Sequence, residues 1–169
     1  MSKSKIIRNS LLIIFVLLAI IYAYPKRILI NEEVEIYKHG DPNFVKTSNL
    51  KIEGKFNRNL FKEDIFYGEI SIDNIIDPTG ELWDVKFHDG LSYLIYDNPA
   101  KGLGQFGSLG MILIDRNFDE FCIFTYDSDN KPFEILYFTS YPSNNRESSI
   151  RIFDKLKMRD SWLSHAVID

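Results

Sequence analysis

The chain has 169 residues, 45% of them apolar and 14% aromatic, which is enough to pack a core and excludes a disordered chain. The formal net charge is −4, yet five of the 20 bases (Lys3, Lys5, Arg8, Lys26 and Arg27) and none of the 24 acids lie in residues 1–27. Residues 28–169 therefore carry a net −9, a poor match for a nucleic-acid partner, whose phosphates need Lys and Arg to displace their counterions.

The first predicted element is a membrane anchor. Residues 11–24 read "LLIIFVLLAIIYAY", all apolar or aromatic. Leu11, Leu12, Ile13, Ile14, Phe15, Val16, Leu17, Leu18, Ala19, Ile20, Ile21 and Tyr22 are its candidate lipid-facing residues. Counted from Ile6, across Arg8, Asn9 and Ser10, the segment would span roughly 28 Å as a helix. The hydrocarbon core of a bilayer is ~30 Å thick. Arg8 can snorkel to headgroups, Tyr22 and Tyr24 suit the far interface, and Pro25 stops the helix.

Two other readings of this segment are weaker. A core helix would leave a wholly apolar cylinder for a small domain to cover. A cleaved signal peptide lacks its A-x-A site, because Ala23 at −1 puts Ile21 at −3. No Cys follows the run, so it is not a lipoprotein signal. Three cations plus the terminal amine precede the run and two cations follow it. The excess places residues 1–10 in the cytoplasm as a basic tip, residues 11–24 across the plasma membrane, and residues 28–169 outside as one domain. The lone Cys122, inside "FCIF", forms no internal disulfide and reads as a buried, inert thiol.

Short apolar-alternating runs separated by turns then predict an antiparallel meander of about eight strands, a barrel or an open sheet. "ILINEEVEIY" (28–37) opens it, "HGDPN" turns, and "VKTSNLKIEGKF" (45–56) follows. In "IFYGEISID" (65–73), Phe66, Gly68, Ile70 and Ile72 form the inward set. "DPTG" (77–80) reads as a type I turn. "WDVKFHDGLSYLIYD" (83–97) reads as a hairpin around Asp89-Gly90, with Phe87 opposite Ser92, Val85 opposite Leu94 and Trp83 opposite Tyr96. A second hairpin joins "GMILID" (110–115) to "FDEFCIFTYD" (118–127), and "FEILYFTSY" (133–141) resumes the sheet. The expected core includes Trp83, Val85, Phe87, Leu94, Phe121, Ile123 and Ile135.

The period then changes to that of a helix over about 145–163. Asn144 is the expected N-cap, with Glu147 three residues on. Ile150, Phe153 and Leu156, with Ile152 and Met158, form the stripe that packs on the sheet. The fold class is mainly β, α+β in detail: an N-terminal transmembrane helix, the meander, and a C-terminal helix.

The stretch "KGLGQFGSLGMILID" (101–115) holds Gly102-x-Gly104-x-x-Gly107, the spacing of a dinucleotide fingerprint. That fingerprint needs a strand running into the first glycine and a helix starting at the last. Here "DNPAK" precedes it and a β-type run follows it. No dinucleotide is expected. Gly102, Gly104, Gly107 and Gly110 instead read as a loop entering a strand, or as bare backbone that another chain can approach closely.

No catalytic, cofactor-binding or metal-ligating constellation is expected. His39, His88 and His165 have no Cys or His partner at zinc spacing, and His88 with Asp84 and Asp89 reads as a polar face. "DSDN" (127–130) opens like a calcium loop, but Lys131 and Pro132 take the fifth and sixth positions. Acid pairs such as Glu32/Glu33 and Asp119/Glu120 read as acidic surface.

The basic tip, the apolar run, "KIEGKFNRNLFKEDIFYGEISID" (51–73) and the ending with "NNRESSIRIFDKL" together resemble small single-pass, membrane-anchored extracytoplasmic proteins of low-GC Gram-positive bacteria. That resemblance implies no activity and carries no functional residues. The expected role is a non-catalytic interaction or accessory domain with an envelope protein partner. A small-ligand or lipid-binding barrel is the alternative, and a hydrolase-like enzyme the second alternative.

Overall fold

The computed structural model describes residues 3–73, 75–76, 82–97, 106–126 and 135–158. A helix, α1 (Lys3–Ala23), leads into eight strands and a second helix. The strands are β1 (Lys26–Lys38), β2 (Asp41–Asn57), β3 (Asp64–Ile72), β4 (Val85–Phe87), β5 (Leu91–Asp97), β6 (Phe106–Ile114), β7 (Phe121–Tyr126) and β8 (Ile135–Tyr141). The closing helix is α2 (Arg146–Lys157).

Chain neighbours pair antiparallel from β1 to β4 and from β5 to β8, and β1 pairs antiparallel with β8, so the sheet order is β4-β3-β2-β1-β8-β7-β6-β5. Its two ends are consecutive strands, and they meet. Leu82 bridges Tyr96, Trp83 N–H donates to the Ile95 carbonyl at 2.9 Å, and His88 and Leu91 exchange two bonds of 2.9 Å. The result is a nearly closed up-and-down barrel. The expected strand count and antiparallel order stand, and the structure decides for a barrel.

Eight strands make an interior just wide enough for side chains to fill. Alternation sends Ile28, Ile30, Val34 and Ile36 of β1, Leu50, Ile52 and Phe56 of β2, and Phe66, Ile70 and Ile72 of β3 inward. Phe118, in the β6–β7 loop, plugs one end. It is 2% exposed, and its ring centroid lies 5.4 Å from Phe56 and from Phe66, 5.6 Å from Phe121 and 6.0 Å from Phe87. It holds φ at 59°, an uncommon conformation for a bulky residue. Its surroundings stabilise it there: Asp115 Oδ1 accepts the N–H groups of Asp119 at 2.7 Å and Glu120 at 3.1 Å.

The outer face of β6, β7 and β8 is apolar as well, which explains the unbroken run "FCIF". Met111, Leu113, Cys122, Phe124 and Phe138 form a second cluster under Phe153 and Leu156 of α2. Phe153 meets Phe124 edge-on at 5.5 Å. A strand covered on both faces reads as a continuous apolar stretch rather than an alternating one.

Several expectations shift by one residue. The cap of α2 is Asn145, not Asn144: Asn145 Oδ1 accepts Ser148 N–H at 2.8 Å, and Ser148 Oγ accepts the Asn145 N–H at 3.3 Å. Serine at the third helical position closes the box in place of Glu147. Met158 is the C-cap and is 72% exposed, so it is not in the packing stripe. Trp83 is also not core, being 51% exposed. The Asp89-Gly90 turn forms as expected, with φ of 50° and 92°. The register then slips by one, so that Trp83 meets Ile95 rather than Tyr96. A one-residue slip sends a side chain to the opposite face. Val85, Phe87, Leu94, Phe121 and Ile123 are buried as expected. Turn 77–80, turn 127–132, the Ile135 side chain and residues 159–163 of the expected helix lie outside the described residues.

Candidate functional site

Four segments converge at the barrel end where α1 joins β1: the last turn of α1, the β2–β3 loop, the β4–β5 turn and the β6–β7 loop. They border an open cleft of ≈ 640 Å³ whose walls include Tyr22, Phe61, Glu63, His88, Asp89 and Arg116. The β6–β7 loop is the brace of this end. The Lys26 ammonium donates to the Asn117 carbonyl at 2.8 Å and pairs with Asp119. Arg58 Nη1 donates to Asn117 Oδ1 at 3.1 Å, and its guanidinium lies 4.6 Å from the Tyr22 ring centroid. The α1–β1 corner and the start of the β2–β3 loop are therefore tied to the segment that carries the Phe118 plug.

The β2–β3 loop is pinned at its base and bare at its tip. Asn59 N–H donates to Asp64 Oδ1 at 2.8 Å, and the Asn59 side-chain amide donates to the Glu63 carbonyl at 2.8 Å. Between these bonds Leu60 is 50% exposed and Phe61 96%. The sequence reading passed over both. The signal was an apolar pair set between "NRN" and "KED", where a turn needs no apolar residue.

Charges in the cleft are mixed: Lys62 and Arg116 face Glu63, Asp64 and Asp89. His88 Nδ1 is 3.9 Å from Glu63 Oε1 and Nε2 is 3.8 Å from Asp89 Oδ2, with the imidazole widely exposed. Such pairs are solvent-screened and worth little. His88 therefore meets Glu63 and Asp89, rather than Asp84 and Asp89. Among the described residues, no three His, Cys, Asp or Glu side chains group to hold a metal.

A smaller notch of ≈ 310 Å³ opens where β1 and β8 diverge, between Glu32, Val34, Tyr141 and Asn144. The two strands pair only at Tyr37–Phe138 and Lys38–Tyr137. Below that, Thr139 Oγ1 reaches the Glu35 carbonyl at 2.8 Å, and the Tyr141 hydroxyl reaches Glu32 at 3.3 Å. These bonds line the seam of the barrel, and Glu32 and Glu33 both stay exposed, as an acidic surface requires.

Cys122 is buried under α2. Its thiol lies 2.9 Å from Ser140 Oγ, and Ser140 Oγ donates to the Ser149 carbonyl at 3.1 Å. Burial pushes the thiol up to about 12, the Ser140 bond working against that and the Glu120 charge adding to it. A thiol held protonated is a poor nucleophile.

Of the glycines, Gly102 and Gly104 lie outside the described residues. Gly107 pairs with Tyr96 inside β6, where a dinucleotide fingerprint would need a helix to begin. Gly110 has a φ of 155°, and a Cβ there would overlap the Phe124 carbonyl oxygen of β7. The close approach it allows is to this chain's own next strand, beside the register shift at Leu94/Ile95.

In α1, Leu11 through Ile21 turn their side chains outward on all sides. The large apolar residues range from 46% exposed at Val16 to 72% at Phe15, and Tyr22 is 37% exposed. No other element packs along it among the described residues. Among those residues, whose side-chain surroundings in α1 begin at Ile7, no helix is long and apolar enough to cross a membrane. No protein family, curated protein or solved structure matches this chain.

Proposed function

We propose that the chain is a single-pass membrane protein that holds its barrel as a non-catalytic interaction or accessory domain on the outer side of the plasma membrane, for a protein partner of the cell envelope. The observation that carries this reading is the all-round apolar surface of α1, which the barrel does not cover. A helix apolar on every side is unstable in water and stable in lipid. Its ten exposed Leu, Ile, Phe and Val residues from Leu11 to Ile21 favour insertion by roughly 3–6 kcal/mol together. Of its 21 residues, the unbroken apolar run 11–23 would measure roughly 20 Å, and with the turn that carries Arg8 reaching toward headgroups it approaches the ~30 Å hydrocarbon core. Arg8 near one end and Tyr22 and Tyr24 near the other suit headgroup depth.

The test is topology in intact cells. Single cysteines are placed at Ser2 and at His39, in the β1–β2 turn, in a Cys122→Ser background, and labelled with a membrane-impermeant maleimide. The expected result is labelling at position 39, protection at position 2 until lysis, and product in the membrane fraction. Labelling only after lysis at position 39, or product in the soluble fraction, overturns the reading.

The barrel fold is also compatible with a second reading, binding of a small ligand or lipid within it. Phe56, Phe66, Phe87 and Phe121 around Phe118 occupy the interior, so a ligand would have to displace the plug. A co-purified adduct in native mass spectrometry would support this second reading. Cys122, whose thiol burial holds protonated, does not supply a nucleophile for the hydrolase-like alternative.

A further inference from the structure

We propose that the β2–β3 loop is a second membrane contact, with Leu60 and Phe61 entering the interfacial layer of the bilayer that holds α1. This rests on the membrane reading of α1. Three observations carry it. First, Leu60 and Phe61 border the same cleft as Tyr22, the aromatic residue near the barrel-side end of α1, so the loop tip stands beside the end of the proposed anchor. Second, the tip is apolar, exposed and held out by design of the loop: both Asn59 bonds close its base, and Phe61 is 96% exposed. An ordered loop that presents a bare phenyl ring to water gains by placing it in an apolar phase. Third, Arg58 ties the loop to α1 through the Tyr22 ring and to the barrel through Asn117, so the tip and the helix end are held together.

The charge at this end names the kind of contact. Lys26, Arg27, Arg58, Lys62 and Arg116 are balanced by Glu53, Glu63, Asp64, Asp89 and Asp119, so no basic field draws the barrel toward anionic headgroups. The partner is the hydrocarbon–headgroup boundary itself, reached by insertion of apolar side chains. The contact is therefore expected in neutral phosphatidylcholine and is expected to survive raised salt.

The full chain, with Cys122→Ser, is reconstituted into phosphatidylcholine vesicles that contain lipid with a nitroxide at a shallow acyl position. An environment-sensitive fluorophore is attached singly at Lys62→Cys beside the tip, at Val45→Cys toward the far end of the barrel, or at Leu18→Cys in α1. The expected result is quenching at positions 18 and 62 but not 45, with quenching at 62 more than halved by the pair Leu60→Ser and Phe61→Ser. Quenching at 18 with position 62 as bright as position 45 overturns the loop contact and leaves the anchor standing. Quenching at neither 18 nor 62 overturns both. Quenching at 62 without 18 overturns the anchor, and with it the proposal that the loop enters the bilayer holding α1.

Discussion

The guanidinium of Arg58 lies 4.6 Å from the ring centroid of Tyr22, joining the end of β2 to the last turn of α1. A cation over an aromatic face at an exposed site is worth about 0.5–1 kcal/mol. Tyr22→Ala should lower stability by about that amount, Arg58→Ala by more because it also removes the bond to Asn117 Oδ1, and the double variant should cost little more than Arg58→Ala alone. Tyr22→Phe, which keeps the ring, should be near neutral. Urea unfolding of the four variants in mild detergent measures the cycle, and strictly additive losses would deny the contact.

Phe118 plugs the barrel at the same end. Phe118→Ala removes a ring that meets four others and should cost about 3–5 kcal/mol. Some of that loss is offset if the smaller residue relaxes the positive φ. Chemical denaturation reads it directly, and a loss below about 1 kcal/mol would mean that the barrel end is not packed around this ring.

Gly110→Ala should be among the most damaging single-methyl changes in the chain. The added Cβ would overlap the Phe124 carbonyl, which is backbone and cannot swing aside. Separating β6 from β7 would breach both the interior and the face under α2. A loss of about 3 kcal/mol or more, or failure to fold, is expected. Thermal unfolding by circular dichroism at two wavelengths separates the two outcomes.

Trp83 and Phe87 share a strand face by alternation, yet their substitutions should differ. Phe87 is 4% exposed and packs against Phe56 and Phe118, so Phe87→Ala should cost about 3–5 kcal/mol. Trp83 is 51% exposed, and Trp83→Ala should cost only about 1 kcal/mol. Equal losses would mean that the register slip is absent.

Stability should fall on the alkaline side. Burial first, then the Glu120 charge, raises Cys122 from 9.0 to about 12, with the Ser140 bond opposing. Burial and then Tyr93 raise Tyr126 from 10.0 to about 12. Tyr37 also moves up, by burial and then by Glu35. A raised folded value means the native state keeps protons that the unfolded chain releases. The stabilisation is complete below about pH 9 and is lost as pH climbs from there toward 12. The urea midpoint measured across that range should drop, and Cys122→Ser should flatten only the earliest part of the decline. In the folded protein at pH 8, Cys122 should resist iodoacetamide until denaturant is added.

Much of this architecture is determined by the sequence alone, because it rests on local periodicity. An unbroken apolar run with a proline after it makes α1 a helix with no polar face. Period-two alternation interrupted by turns such as Asp89-Gly90 makes a sequential antiparallel meander, and the change to helical spacing after Pro142 makes α2. What only the tertiary structure decided depends on partners distant in the chain. The slip between Trp83 and Tyr96 reverses a side chain without altering the local pattern. The cap moves from Asn144 to Asn145 because Ser148, not Glu147, reaches back. Gly110 has meaning only against Phe124, and Leu60 and Phe61 become a surface only when β2 and β3 carry their loop to the end where Tyr22 lies. Alternation tells which residues turn the same way; closure of the barrel decides what each of them meets.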